Sequence, residues 1–370
     1  MYKLLSLVFI PTALAGLLKP RGGATIIPNK YIVKFKGSSS FDDLISTEPD
    51  FTFKAFNGFA GTLSEAEVAE LDDHPDIEYI AHDSKVFLAA DLVVQTGAPW
   101  GLGRISHVSP YNTTYVYDSA GGSGEGVCVY VLDTGVSVTH PEFEGRAEWL
   151  ENFTGDGIDT DIDGHGTHVA GTVGSRTYGV AKKTKILSVK VNSGGLGTIG
   201  GIDLVVNDAQ TRDCPKGFVA NLSLGTIDSP PVDEAVAAAV AAGIFVVVSA
   251  GNNGEDASNF SPAREPQAFT VGASTINDTL WRSSNYGPVL DIIAPGADIL
   301  STWLDNSTLS GSGTSMAAPH VAGLAAYLMG LENLTADTVR ARILELSHKD
   351  ILMDLPESTV NALAFNGVNE

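Results

Sequence analysis

Val127–Gly135 reads VCVYVLDTG: six apolar or aromatic residues, then an aspartate, then a turn that closes on glycine. A run this uniformly apolar has no solvent face, and strands buried on both faces belong to a parallel sheet covered by helices. Three further runs repeat the pattern, KILSVKV (185–191), VANLSLG (219–225) and IFVVVSAGN (244–252). Each alone would also suit a segment of buried helix; their β-branched content and regular spacing favour strands. Between them GIDLVVNDAQTR (201–212) and PPVDEAVAAAVAAG (230–243) read as helices, the second opened by proline and stopped at Gly243. The predicted class is α/β, a three-layer sandwich with a mostly parallel central sheet.

Upstream of this pattern the chain is organised differently. KYIVKF (30–35) alternates as a half-buried strand, SEAEVAELDDHP (64–75) reads as an acidic amphipathic helix, and IEYIAHDSKVFLA (77–89) is a second extended run. Ser64 followed by Glu67 has the spacing of a capping box. These elements predict a small α+β domain, and AADLVVQTGAPWG (89–101) reads as the connection that leaves it, broken by Gly97 and Pro99. Residues 1–15, MYKLLSLVFIPTALA, place Lys3 before an apolar run that ends in Ala-Leu-Ala. The run is short for a membrane span, so the pattern predicts a signal peptide cut after Ala15, a secreted protein and no membrane anchor.

Of the 370 residues 44 are acidic and 22 basic, a formal charge of −22. That balance argues against nucleic acid or an anionic membrane as partner, because either would require clustered Lys and Arg. The only two cysteines, Cys128 and Cys214, are candidates for one disulfide in an oxidising compartment, the alternative being two buried thiols.

In open parallel sheets ligands bind beyond the carboxyl ends of the strands. Two runs deliver a polar residue there: Asp133 after VCVYVL, and Asn252 after IFVVVSAG. A third feature is SGSGTSMAAPHVAGLAAYLMG (310–330), where glycines precede Ser315 and an all-apolar helix that must be buried. Ser315 therefore sits among the unpaired N–H groups and positive dipole of a helix N-terminus, with Pro319 expected in or near the first turn. A fourth, DIDGHGTHVAG (161–171), carries His165 and His168. Taken singly, Asp133 is an ordinary turn former and Ser315 an ordinary cap. Together, Asp133, His165 and Ser315 supply an orienting carboxylate, an imidazole base and a hydroxyl that needs such a base to become a nucleophile.

VYVLDTGV, GHGTHVAGTVGSRTYGVAKKTK, SAGNNGEDASNFSPAREP and SGTSMAAPHVAGLAAYLM resemble the subtilisin-like serine proteases, specifically their proteinase K-like branch in fungi. The likeness runs from about residue 97 to near the C-terminus, and the preceding segment is similar to the family's inhibitory propeptide. The resemblance implies a secreted endopeptidase, acting as a monomer on protein and peptide substrates, with three parts: signal peptide 1–15, inhibitory α+β propeptide 16–90 and catalytic domain 91–370. The propeptide would act as an intramolecular inhibitor, its end lying in the active-site groove until self-cleavage between Leu88 and Val93.

Residue by residue, the resemblance implies a catalytic Asp133, His165 and Ser315, with the Asn252 amide as oxyanion donor. His168 would pack inside; a zinc site built on the two histidines would need two further ligands. Substrate would add as a strand between Ser193–Gly197, including Gly194, Gly195 and Leu196, and Ser223, Leu224 and Gly225, with Ala250 and Gly251 walling the primary pocket. That arrangement implies broad specificity with an apolar or aromatic preference. No catalytic cofactor is implied. A structural calcium is, held by the Asp291 carboxylate and the carbonyls of Pro266 and Ala268. Cys128 and Cys214 match a disulfide of the branch; Phe269 stands where a second disulfide often has a cysteine. Asn112, Asn152, Asn259, Asn277, Asn306 and Asn333 lie in possible N-glycosylation sequons, as does Asn221, whose predicted core position makes it a poor acceptor. Two other classes compete with this reading, a non-catalytic peptide-binding relative and a maturation protease of narrow specificity.

Overall fold

The computed structural model describes residues 16–18, 26–37, 49–84, 92–191 and 194–368. The expected signal peptide, Ser193, and the stretch from Leu88 to residue 91 lie outside the described residues. The chain divides into two compact units, residues 1–89 and 90–370.

In the first unit Ile26–Phe35 buries Tyr31, Val33 and Phe35 on alternate positions, as the period of a half-exposed strand requires. It pairs antiparallel with Gly58–Thr62 and Ile77–Ser84 inside a five-stranded sheet. The helix Glu65–Asp72 lays Val68 and Leu71 on this core. Its N-terminus is closed as expected: Ser64 Oγ accepts from the Glu67 N–H while the Glu67 carboxylate accepts from the Ser64 N–H.

The second unit is built on a nine-stranded sheet. Its order is His348–Lys349, Ala362–Leu363, Ile292–Pro295, Phe269–Ser274, Ile244–Ser249, Phe218–Leu222, Cys128–Asp133, Lys185–Lys190 and Ala147–Asn152. All neighbours are parallel except the first two. Strand residues divide between two cores. Val129, Val219 and Val247 face the long helix Thr314–Glu332, whereas Tyr130, Ala220, Val246 and Val248 face Gly195–Ala209 and Pro230–Ala241 through Ile202, Val205, Val236 and Ala239. This is the three-layer α/β sandwich. Each fully buried aliphatic side chain in it stabilises the fold by about 1.5–3 kcal/mol. Residues 314–330 of the long helix are buried on every side, which is why its sequence shows no polar face.

Three local expectations are corrected. Leu92–Thr96 is not a mere connection: it pairs antiparallel with Thr114–Asp118 in a separate two-stranded sheet, and its exposed strand lacks the alternation that would reveal it. The helix read from residue 201 begins at Gly195, so Gly195 and Leu196 have helical rather than extended backbone. Of the expected edge segment only the N-cap Gly194 is both described and extended (φ −87°, ψ 139°). Pro319 is the sixth residue of its helix, beyond the first turn. Cys128 and Cys214 form the expected disulfide.

Candidate active site

The carboxyl end of Cys128–Asp133 leaves Asp133 buried beneath the N-terminus of the helix His165–Gly174. Two glycines let that helix come so close. Gly164 caps it at φ +103° with Trp303 where a Cβ would project, and a Cβ on Gly166 would meet the carbonyl oxygen of Gly135. Nδ1 of His165 lies 2.7 Å from Oδ1 of Asp133. A carboxylate only accepts, so Nδ1 carries the proton and Nε2 of the neutral ring is the free base. The negative charge of Asp133 is the main cause raising the His165 pKa to about 9, against the opposing effect of burial, and Asp163 and Asp161 add to the rise.

His168, one turn on, has a different role. Its Nε2 donates to the carbonyls of Ile299 (2.9 Å) and Leu309 (3.1 Å), and burial lowers its pKa. It is a packed residue, as expected, and no group of three His, Cys, Asp or Glu side chains among the described residues is arranged to hold a metal.

Asp161, the first residue of DIDGHGTHVAG, has a part of its own. Oδ1 accepts from Thr134 Oγ1 (2.9 Å), Asp163 N–H (3.0 Å) and Gly164 N–H (2.9 Å), and Oδ2 from Thr167 N–H (2.9 Å) and Oγ1 (2.6 Å). Thr134 Oγ1 in turn accepts from the Gly166 N–H at 2.9 Å. One buried carboxylate thus ties the turn after Asp133 to both sides of His165. No local sequence signal separates Asp161 from Asp163, because its meaning lies in burial and in partners 27 residues away.

Ser315 and Asn252 meet in one cleft of about 550 Å³, lined also by Ser223, Leu224, Gly225, Ala250 and Gly251. Two of the expected segments, Ser223–Gly225 and Ala250–Asn252, therefore converge, joined by Phe260, Ser261 and Ala263, whose place in the pocket the sequence reading did not assign. None of the lining residues carries a charge. Oδ1 of Asn252 accepts from both the N–H and the Oγ1 of Thr314 at 2.8 Å. With the carbonyl end so committed, Nδ2 is the end left to donate. Ser315 Oγ donates to the Ser223 carbonyl at 3.3 Å rather than to the imidazole.

The residues expected to hold calcium do not fit that ion. Calcium needs six to eight oxygens converging on one point. Here Asp291 Oδ1 accepts from Arg340 Nη1 at 2.8 Å, and Arg340 Nη2 donates to the carbonyls of Ala268 and Gln267. The remaining oxygen of Asp291 is held by the Thr270 N–H at 2.8 Å. A guanidinium stands where the cation was expected.

Comparison with known proteins agrees with this architecture. Residues 124–364 match the Subtilase family and residues 46–89 match Peptidase inhibitor I9. A cuticle-degrading protease of Metarhizium anisopliae is 49% identical over 356 residues, covering 93% of this chain and 91% of that protein. Proteinase R of Parengyodontium album is also 49% identical, over 364 residues that cover 95% of this chain and 92% of that one. Among solved structures, a cold-adapted subtilisin-like serine proteinase superposes with a TM-score of 0.68 at 38% identity, covering 74% of this chain and all of that one. A histidine held by a buried aspartate, a cleft shared by a serine and an oriented asparagine amide, and these matches lead to one conclusion: the chain belongs to the subtilase family and is a subtilisin-like serine protease made with an I9 inhibitor propeptide.

Proposed function

We propose that this enzyme is a secreted endopeptidase of broad specificity in which Ser315 is the nucleophile, His165 the proton carrier, Asp133 its orienting carboxylate, and Asn252 with the Ser315 N–H the oxyanion donors. The observation that carries the reading is the amide of Asn252. Thr314 commits its oxygen, so a free donor remains at the cleft that holds Ser315.

Ser315 Oγ attacks the scissile carbonyl carbon while its proton passes to Nε2 of His165. The oxygen of the tetrahedral intermediate takes negative charge and draws hydrogen bonds from Asn252 Nδ2 and the Ser315 N–H, the latter at a helix N-terminus whose dipole favours an anion. Asp133 stabilises the imidazolium, which then protonates the leaving amine. Water attacks the acyl-enzyme by the same route in reverse and frees the acid.

The substrate backbone pairs with Ser223–Gly225 on one side and with the chain around Gly194 on the other, and such pairing reads no side chain. A cleft without charged lining favours apolar and aromatic side chains over basic ones. Residues 1–15 serve as signal peptide, and 16–90 as a propeptide removed by self-cleavage between Leu88 and Val93, leaving 91–370 as a monomer. No helix among the described residues is long and apolar enough to cross a membrane. Asn259, Asn277, Asn306 and Asn333 are exposed glycan acceptors, with Asn112 and Asn152 more enclosed; Asn221 is fully buried and is not one.

The test is mass spectrometry of the secreted protein beside Ser315→Ala, both made in a protease-free host. The variant should retain residues 16–90 and fail to react with a serine-directed phosphonate. Processing at the wild-type bond in Ser315→Ala would overturn both the nucleophile and self-cleavage.

A further inference from the structure

Arg340 lies in the middle of the helix Ala336–Leu346, and its side chain leaves that helix for the start of a strand 49 residues earlier. Nη1 reaches Asp291 Oδ1 at 2.8 Å, Nη2 reaches the carbonyls of Gln267 (3.0 Å) and Ala268, and the guanidinium carbon lies 5.1 Å from the Phe269 ring centroid. Asp291 is largely buried, with a side chain only 19% exposed. Its second oxygen is bound by the Thr270 N–H, and its own N–H donates to the Thr270 carbonyl at 2.9 Å.

These acceptors are the kind that hold a hard cation: one carboxylate and carbonyls from a single loop. A guanidinium meets the same demand by other means. It is planar, permanently charged and presents five donors in a fixed fork, so it serves a carboxylate and two carbonyls at once. It also stacks on an aromatic face, which a metal ion in an oxygen cage does not require, and Phe269 supplies that face. A divalent ion entering here would place three positive charges against one carboxylate and would compete with Arg340 for Asp291 and Ala268.

We infer that Arg340 is a built-in cation in place of calcium, joining the 266–269 loop and the start of the strand Ile292–Pro295 to the helix Ala336–Leu346. Because the charge is covalently part of the chain, it does not dissociate and no chelator removes it. The stability of this corner of the fold is therefore independent of calcium.

The experiment uses mature enzyme inactivated with a phosphonate, so that autolysis does not enter. Thermal midpoints are read for wild type and Asp291→Asn, each in excess calcium and in excess EGTA. The expected chelation-induced shift is the same in both proteins, and terbium titrated into wild type gives no luminescence that Asp291→Asn abolishes. A larger chelation loss in wild type than in Asp291→Asn, or terbium emission that depends on Asp291, would overturn the inference. In a second arm Arg340→Ala lowers the midpoint in EGTA by several degrees, and adding Asp291→Asn costs little more, since the pair is already broken. Fully additive losses would also overturn it. If Arg340→Ala does not accumulate, Arg340→Gln is read in its place, and the wild-type terbium titration stands without either.

Discussion

Ser223 and Ser315 exchange hydrogen bonds: Oγ of Ser223 donates to the Ser315 carbonyl at 2.9 Å, and Oγ of Ser315 donates to the Ser223 carbonyl at 3.3 Å. The first bond has a cause four residues along the helix. Pro319 has no N–H to give to the Ser315 carbonyl, so an orphaned acceptor is left in the first turn of a buried helix. The Ser223 hydroxyl fills it, and also accepts from Asn221 Nδ2 at 3.0 Å. Ser223→Ala should therefore lower stability by about 1–3 kcal/mol, the scale for stranding a buried polar group. Chemical denaturation of the inactivated enzyme measures this, and Ser223→Thr, which keeps the hydroxyl, should recover much of it. An unchanged midpoint in the alanine variant would mean that water serves the carbonyl equally well.

In the proposed mechanism Asn252 stabilises charge only in the transition state, and Asn252→Ala removes that donor. The expected effect is a fall in kcat of about 10²–10³-fold, the scale known for losing such an asparagine in subtilisin, with KM little changed. Steady-state kinetics on a chromogenic peptide separates the two. A rise in KM at constant kcat would assign Asn252 to substrate binding instead.

In the proposed mechanism the His165–Asp133 pair sets the pH profile. Only neutral His165 would accept the Ser315 proton, and Asp133 raises its pKa to about 9, so kcat/KM should climb through that pH toward an alkaline plateau. Asp133→Asn removes the largest cause of the rise, and the residual activity should then turn on at lower pH. For stability the sign is opposite. A pKa raised on folding contributes fully below the unfolded value near 6.5, and that contribution is lost as pH rises through about 9. A profile already flat at neutral pH would contradict the assignment of His165 as the base held by Asp133.

Asp161 predicts a different signature. It touches no reacting atom, yet it accepts five hydrogen bonds that hold the turns around Asp133 and His165. Asp161→Asn would turn an amide N–H toward backbone N–H donors. We expect a stability loss on the order of 3 kcal/mol and at least a tenfold fall in kcat with KM nearly constant. Tested by calorimetry beside kinetics, a variant of full activity and normal midpoint would reduce Asp161 to a dispensable contact.

Runs such as VCVYVL have no solvent face, and their β-branched content and regular spacing favoured strands of a covered parallel sheet over buried helix, while Asp133, His165 and Ser315 stood out because each interrupts a glycine-rich turn beside an apolar element. These are local signals: strand period, helix end and turn chemistry all act within a few residues. Tertiary structure decided what depends on distant neighbours. Leu92–Thr96 is a strand because Thr114–Asp118 lies beside it. Pro319 is tolerated in the second turn through Ser223, 92 residues before Ser315 in the chain. Asp291 carries the same carboxylate whether it faces a metal or a guanidinium. The choice came from Arg340, delivered by the helix Ala336–Leu346, because a buried charge takes the partner that packing brings to it.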